Sequence, residues 1–160
     1  MSKLLIDAFD EFGNKWALVT AGSMADHNSM TVSWGGVGWL WGKQVATVYI
    51  RPNRHTYGYF EANDYFTVSF YPEENKQALG VMGSKSGRDY DKAKETGLTP
   101  NFEYSAPTFE EGNLVFICKK IHAQTIDPAC FLDADIEKNY PQKDYHTMYI
   151  GEILEAYVAE

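Results

Sequence analysis

Cysteine is scarce in this chain: Cys118 and Cys130 are the only two, and they form no CxxC or other metal-ligand spacing. That excludes a disulfide-stapled scaffold and a zinc ribbon. Cys118, inside the apolar run Leu114 to Cys118, reads as a buried reduced thiol. Positive charge is also in short supply, with 14 Lys and Arg against 22 Asp and Glu for a formal net charge of −8. The broad positive field that nucleic-acid and anionic-membrane binding requires is therefore missing, and neither partner is expected. No apolar run approaches the ~18 residues of a membrane span, and Met1 to Asp10 lacks the charged-then-apolar layout of a secretory signal, so a cytoplasmic location is the expectation. No repeat, low-complexity tract or Gly/Ser/Pro linker divides the chain, and residues 1–160 are expected to form a single domain.

Familiar catalytic and nucleotide-binding signatures are absent as well. Gly35, Gly36 and Gly38 do not make GxGxxG, so no Rossmann fingerprint is present. His27, His55 and His122 show no HExxH or paired spacing, and Asp133-Ala134-Asp135 lacks the glycine and distal glutamate of a calcium loop. No metal site is expected.

Aromatic residues are what the chain has in quantity: 11 Tyr, 9 Phe and 4 Trp within a 44% hydrophobic composition. Flat apolar side chains suit β structure, and short β-rich runs recur at Trp16 to Ala21, Met30 to Gly35, Val45 to Ile50, Tyr65 to Tyr71, Leu114 to Thr125 and Thr147 to Val158. Phe66, Val68 and Phe70 alternate with Tyr65, Thr67 and Ser69, which puts three apolar side chains on one face. The last run repeats the alternation with Met148, Ile150, Leu154, Ala156 and Val158; Glu152 breaks it, and Gly151 beside it marks a candidate bulge. Short helices fit between strands, beginning near Arg54, Glu73 and Tyr90, with Asn53 and Asp89 as candidate caps of the first and third. Asp127 to Asp144 reads as a long surface loop. The predicted class is mainly β with short helices, an antiparallel barrel or sandwich rather than a doubly wound sheet.

Three constellations carry chemistry. Arg51-Pro52-Asn53-Arg54-His55-Thr56 leaves an apolar strand and enters a helix, whose unpaired N–H groups, with Arg51 and the Thr56 hydroxyl, suit a phosphate. The same spacing fits a capped helix with solvated arginines. Gly83-Ser84-Lys85-Ser86-Gly87-Arg88-Asp89 carries two cations and two hydroxyls but lacks Walker spacing, which disfavours an NTPase; a flexible surface turn is the alternative. Asn28-Ser29-Met30-Thr31-Val32-Ser33-Trp34-Gly35-Gly36 alternates small polar residues along a strand that can face a ring, with Trp34 as an apolar wall, or is an ordinary half-buried strand. Two cationic turns in so acidic a chain make a shared anion more probable than either turn alone. His146, just ahead of the apolar run Met148 to Ile150, is a further candidate, although a lone histidine is more often structural.

In this order the constellations, with Ala46-Thr47-Val48-Tyr49-Ile50 ahead of Arg51 and His146-Thr147-Met148-Tyr149-Ile150-Gly151-Glu152 near the end, resemble the flavin reductase-like family that includes flavoredoxins. The resemblance covers roughly Trp16 to Val158. It implies an FMN-binding split barrel, a homodimer with FMN near the subunit interface, and NAD(P)H as electron donor. On matching positions it implies that Asn28, Ser29, Met30, Thr31, Val32, Ser33 and Trp34 line the isoalloxazine and ribityl chain. Arg51, Asn53 and Thr56 would hold ribityl or phosphate oxygens, with Ser84, Lys85, Ser86 and Arg88 closing on the phosphate, and His146 would lie near the ring edge or the entering nicotinamide. The implied function is an FMN-dependent oxidoreductase; FAD in place of FMN, an electron carrier serving a protein partner, and a non-redox ligand-binding barrel stay open. A flavin carries its own hydride and electron chemistry, so the missing catalytic triad does not count against an enzyme. Trp39, Leu40 and Trp41, following the Gly-rich turn, suit either a dimer interface or the core.

Overall fold

The computed structural model describes residues 3–159. After a short helix α1 (Ala8–Asp10) that continues into a wider helical turn (Glu11–Lys15), nine strands follow among the described residues. They are β1 (Ala17–Gly22), β2 (His27–Val32), β3 (Gly35–Leu40), β4 (Lys43–Ile50), β5 (Tyr65–Phe70), the two-residue β6 (Pro100–Asn101) and β7 (Thr108–Phe109), β8 (Leu114–Thr125) and β9 (Thr147–Val158). Between them lie α2 (His55–Ala62), α3 (Lys76–Ser84) and α4 (Lys92–Thr96).

Seven strands form one antiparallel sheet in the order β2-β1-β5-β8-β9-β4-β3. Its two outermost strands, β2 and β3, are consecutive in the chain, joined only by Ser33 and Trp34. A sheet whose opposite edges are tied by two residues has to curl until those edges meet, because two extended residues span only about 7 Å. The result is an incompletely closed barrel.

The barrel interior follows period-two alternation. Ala17, Val19 and Ala21 of β1, Phe66, Val68 and Phe70 of β5, Phe116 and Cys118 of β8, and Ala46, Val48 and Ile50 of β4 share one core with Tyr149 and Phe60. Cys118 has no exposure, and burial pushes its thiol well above the usual range. On the outer side of β1, Leu18 packs with Leu79 and Met82 of α3, Leu98 and Phe109 in a second cluster. Helix α3 is thereby fixed against the β1–β2 side of the barrel, the side on which the cationic turn follows it.

Several sequence expectations shift. The run Met30 to Gly35 is not one strand: β2 ends at Val32 and a separate β3 begins at Gly35, where an added Cβ would meet the Phe12 ring at 2.5 Å. Trp39 and Leu40 belong to that strand rather than following a turn, and Trp39 and Trp41 are 72% and 59% exposed. Trp16 lies outside β1 because its φ of 71° ends the preceding helical turn. Asn53 does not cap α2; Arg54 holds the cap position without a side-chain bond, and the Asn53 amide donates to Asp144 instead. Helix α4 is capped by Asp91, not Asp89, its carboxylate accepting from the Lys94 backbone N–H at 3.1 Å. The expected loop holds two short 3-10 turns, Pro128–Cys130 and Ala134–Asn139, each opened by an aspartate cap.

The largest revision concerns β9. Its inward set is Tyr149, Gly151, Ile153 and Ala156, not Met148, Ile150, Leu154 and Val158. A register shift leaves Leu154 opposite no residue of β8, so the inward parity changes between Ile153 and Ala156. A second shift leaves Ile121 of β8 unpaired beside Gly151, close to the bulge the sequence marks there. A Cβ on Gly151 would come within 2.5 Å of the Phe66 ring and 2.7 Å of the Cys118 Cβ. Gly151→Ala is therefore expected to lose about 1–3 kcal/mol of stability through overpacking. Gly36→Ala, whose Cβ meets nothing within 4 Å, is expected to stay within about 0.5 kcal/mol in the same urea titration.

Candidate functional site

Two recesses open on the side of the barrel where β2 crosses to β3, and Arg54 lines both. The first, about 200 Å³, is walled by Met30, Thr31, Val32, Ser33 and Trp34 from β2 and its link, Tyr49 and Arg51 from the end of β4, and His146. The second, about 310 Å³, is lined by Asn28, Asn53, His55 and Thr56 together with Gly83, Ser84, Lys85, Ser86, Arg88 and Lys92. One is bordered by the aromatic rings of Trp34, Tyr49 and His146, the other by cations, and the half-buried guanidinium of Arg54 lines both.

The aromatic recess is braced by the segment after β8. Arg51 forms an ion pair with Asp144 at 3.0 Å, donates to the Asn139 carbonyl at 2.9 Å and lies 4.9 Å over the Tyr140 ring. Asp144 also accepts from the Asn53 amide at 3.2 Å. The Tyr140 hydroxyl lies 2.7 Å from Nδ1 of His146, and the imidazole stands 5.2 Å from the Trp34 ring and 6.4 Å from that of Tyr49, centroid to centroid. Burial first, then Arg51, lowers the His146 pKa to about 4, with Asp144 opposing. The ring is thus neutral at physiological pH.

The cationic recess is held together differently. Asn28 is buried, and its amide donates to the buried Thr56 hydroxyl at 2.7 Å, which leaves the Thr56 O–H free to donate onward. Gly87 presses on Asn28 so closely that a Cβ there would overlap the amide oxygen. Arg54 donates to the Gly83 carbonyl at 2.8 Å, tying the start of α2 to the end of α3. Lys85 pairs with Glu95 at 3.1 Å and lies 4.4 Å over the Tyr90 ring, while Arg88 reaches the Asn53 carbonyl at 3.5 Å.

The structure therefore divides the sequence candidates. Met30, Thr31, Val32, Ser33, Trp34, Arg51 and His146 meet at the aromatic recess; Asn28, Asn53, Thr56, Ser84, Lys85, Ser86 and Arg88 meet at the cationic one. Ser29 reaches neither, because its hydroxyl is buried 2.7 Å from that of Thr20. Thr31 spends its hydroxyl on the Leu79 carbonyl. Arg51 stands beside the aromatic recess with its charge engaged by Asp144, whereas Arg54 and Lys92, which sequence reasoning did not single out, line the cationic one. Arg54 was visible only as a second arginine in its motif. Tyr49 appeared only within the Ala46 to Ile50 run and Tyr140 not at all, since strand pairing and the long segment bring them to His146. Among the described residues no group of His, Cys, Asp or Glu is arranged to hold a metal ion, and no helix is long and apolar enough to cross a membrane.

The sequence profile of the family described as flavin reductase like domain matches residues 9–160. Flavoredoxin of Desulfovibrio vulgaris (Miyazaki F) is 25% identical, with a TM-score of 0.70 over 91% of this chain and 69% of that one. An FMN-binding protein from Thermus thermophilus, solved with bound p-hydroxybenzaldehyde, is 19% identical with a TM-score of 0.74 over 100% and 80% of the two chains. A protein with a split barrel domain from Shewanella frigidimarina NCIMB 400 is 21% identical with a TM-score of 0.70 over 91% and 67%. The open barrel described above is this split barrel. No curated protein matches the chain.

The depressed His146 pKa has a consequence for acid stability. An unfolded histidine titrates near 6.5 and the folded one near 4, so its contribution to stability is complete above pH 6.5 and is lost as pH falls between those values. In urea titrations across that range, His146→Gln is expected to show a shallower acid limb than the wild type, the difference amounting to at most about 1.4 kcal/mol per pH unit.

Proposed function

Since the chain belongs to the flavin reductase-like domain family, we propose that it binds FMN without a covalent bond and accepts electrons from NADH or NADPH. The observation that carries this reading is the junction at Arg54 of an aromatic recess and a cationic one. A flat, largely apolar ring system joined to a terminal phosphate has that same division of chemistry along its length. The donor set fits: Arg54, Lys85 and Arg88 supply charge-assisted donors and Thr56, Ser84 and Ser86 supply hydroxyls, in a chain that is otherwise strongly acidic.

When bound, the flavin ring supplies the hydride and electron chemistry. The residues of this chain have the tasks of binding, orienting and drying the site. Trp34, itself 47% exposed, and Tyr49 give the aromatic recess flat walls, and the free edge of β2 between Met30 and Val32 offers N–H and C=O groups to a ring edge. His146, neutral and hydrogen-bonded through Nδ1 to Tyr140, gives the recess a polar ring rather than a fixed charge. Arg51, neutralised by Asp144, stiffens that wall. A homodimer is part of the proposal: the exposed Trp39 and Trp41 on the β3–β4 hairpin are apolar surface of the kind that dimer interfaces cover.

A second reading, an electron carrier that meets another protein in place of nicotinamide, is favoured by the net charge of −8, which suits docking to a basic redox partner. One spectrum separates the two. The purified protein, supplied with FMN, is expected to show bound-flavin absorbance that bleaches anaerobically on addition of NADH or NADPH. Bound bands that persist support the carrier, and a protein that binds no FMN overturns both readings. Arg54→Ala is expected to weaken FMN binding about tenfold or more, measured by isothermal titration, since a charge-assisted contact contributes about 1.5–3 kcal/mol.

A further inference from the structure

Lys92, the first residue of α4, is 6% exposed. Its Nζ donates to the Ser29 carbonyl at 2.8 Å and to the Met82 carbonyl at 2.9 Å, so one ammonium ties β2 to α3. Among the described residues it has no carboxylate in an ion pair. Buried charges are ordinarily paired, because desolvating them is costly. Two carbonyls could be satisfied by the two N–H groups of a neutral amide, so a third proton and a full charge exceed what the tie requires. The side chain lines the cationic recess beside Asn28 and Arg54.

We infer that Lys92 is the innermost cation of the phosphate seat, its third proton serving a phosphate oxygen, and that flavin binding draws a proton from solution onto it. This rests on the FMN reading above.

The charged surroundings support that coupling. Arg54 and His55 face the recess from α2, and Lys85 and Arg88 from the turn after α3. The carboxylates nearby have other partners: Glu95 of α4 pairs with Lys85, Asp91 caps α4, and Asp26, next to His27 in the β1–β2 turn, accepts from the Tyr59 hydroxyl at 2.6 Å. Burial first, and then Arg54, lowers the Lys92 pKa to about 8. A dianionic phosphate acts in the opposite direction and favours the ammonium. Between that value and the higher one Lys92 takes beside a bound phosphate, binding takes up a proton and affinity falls as pH rises.

The test is isothermal titration of the whole protein with FMN and, separately, riboflavin, in two buffers of different ionisation enthalpy, at a pH just above 8. The phosphate's own second ionisation, near about pH 6, is then complete. Net proton uptake with FMN but not with riboflavin is expected. Lys92→Met should abolish that uptake and weaken FMN binding about tenfold to a hundredfold, leaving riboflavin affinity unchanged. FMN binding without uptake by the wild type, or an unchanged FMN affinity in a folded Lys92→Met protein, overturns the inference while the flavin reading stands. If the variant does not fold, the wild-type uptake decides. A wild type that binds neither flavin overturns the functional reading itself, and this inference with it.

Discussion

The two-residue link Ser33–Trp34 between the opposite edges of the sheet is the constraint from which the rest of the structure follows. It forces a seven-stranded antiparallel sheet to curl, and the curl gathers Phe66, Phe70, Phe116 and Tyr149 into one interior. The closure also leaves an opening where β2 departs to β3. Trp34 stands at that opening, and the ends of β4 and β9 bring Tyr49 and His146 to it. The aromatic recess is thus a product of barrel closure rather than of any local motif.

The cationic recess depends on the same strand from its other end. Asn28 meets Thr56 of α2, Thr31 meets the backbone of α3, and the Ser29 carbonyl accepts from Lys92 of α4. Hydrogen bonds at Asn28, Ser29 and Thr31 of β2 therefore position three helices along this strand. Gly87 is required there because Asn28 fills the volume a side chain would take. Concentrating positive charge in this way is unfavourable without an anion, a burden that burial of Lys92 increases. Lys85 offsets part of this burden by pairing with Glu95, whereas Lys92 has no carboxylate in an ion pair among the described residues.

The aromatic recess shows how structure alone can set charge at two neighbouring side chains. Burial keeps His146 neutral, and Asp144 neutralises Arg51 next to it. On this wall the Arg51 charge is paired, while Arg54 carries a charge at the junction of the two recesses. Tyr140 completes this arrangement by holding Nδ1.

The sequence by itself determined the class of fold and the types of residue at the site. Period-two alternation in Phe66, Val68 and Phe70 marked an inward strand face, the scarcity of Cys and of positive charge removed competing classes, and the order of four motifs pointed to one family. These signals survive in one dimension because each arises within a few residues. What the tertiary structure alone decided lies between distant segments. The bulge at Leu154 reversed the inward parity along β9, because a single extra residue moves every later side chain to the other face. Pairing to Asp144, 93 residues away, engages the Arg51 charge beside the aromatic recess. Arg54 and Lys92 became central only once three helices had been packed against β2, since burial and the absence of a counter-charge are properties of a folded neighbourhood.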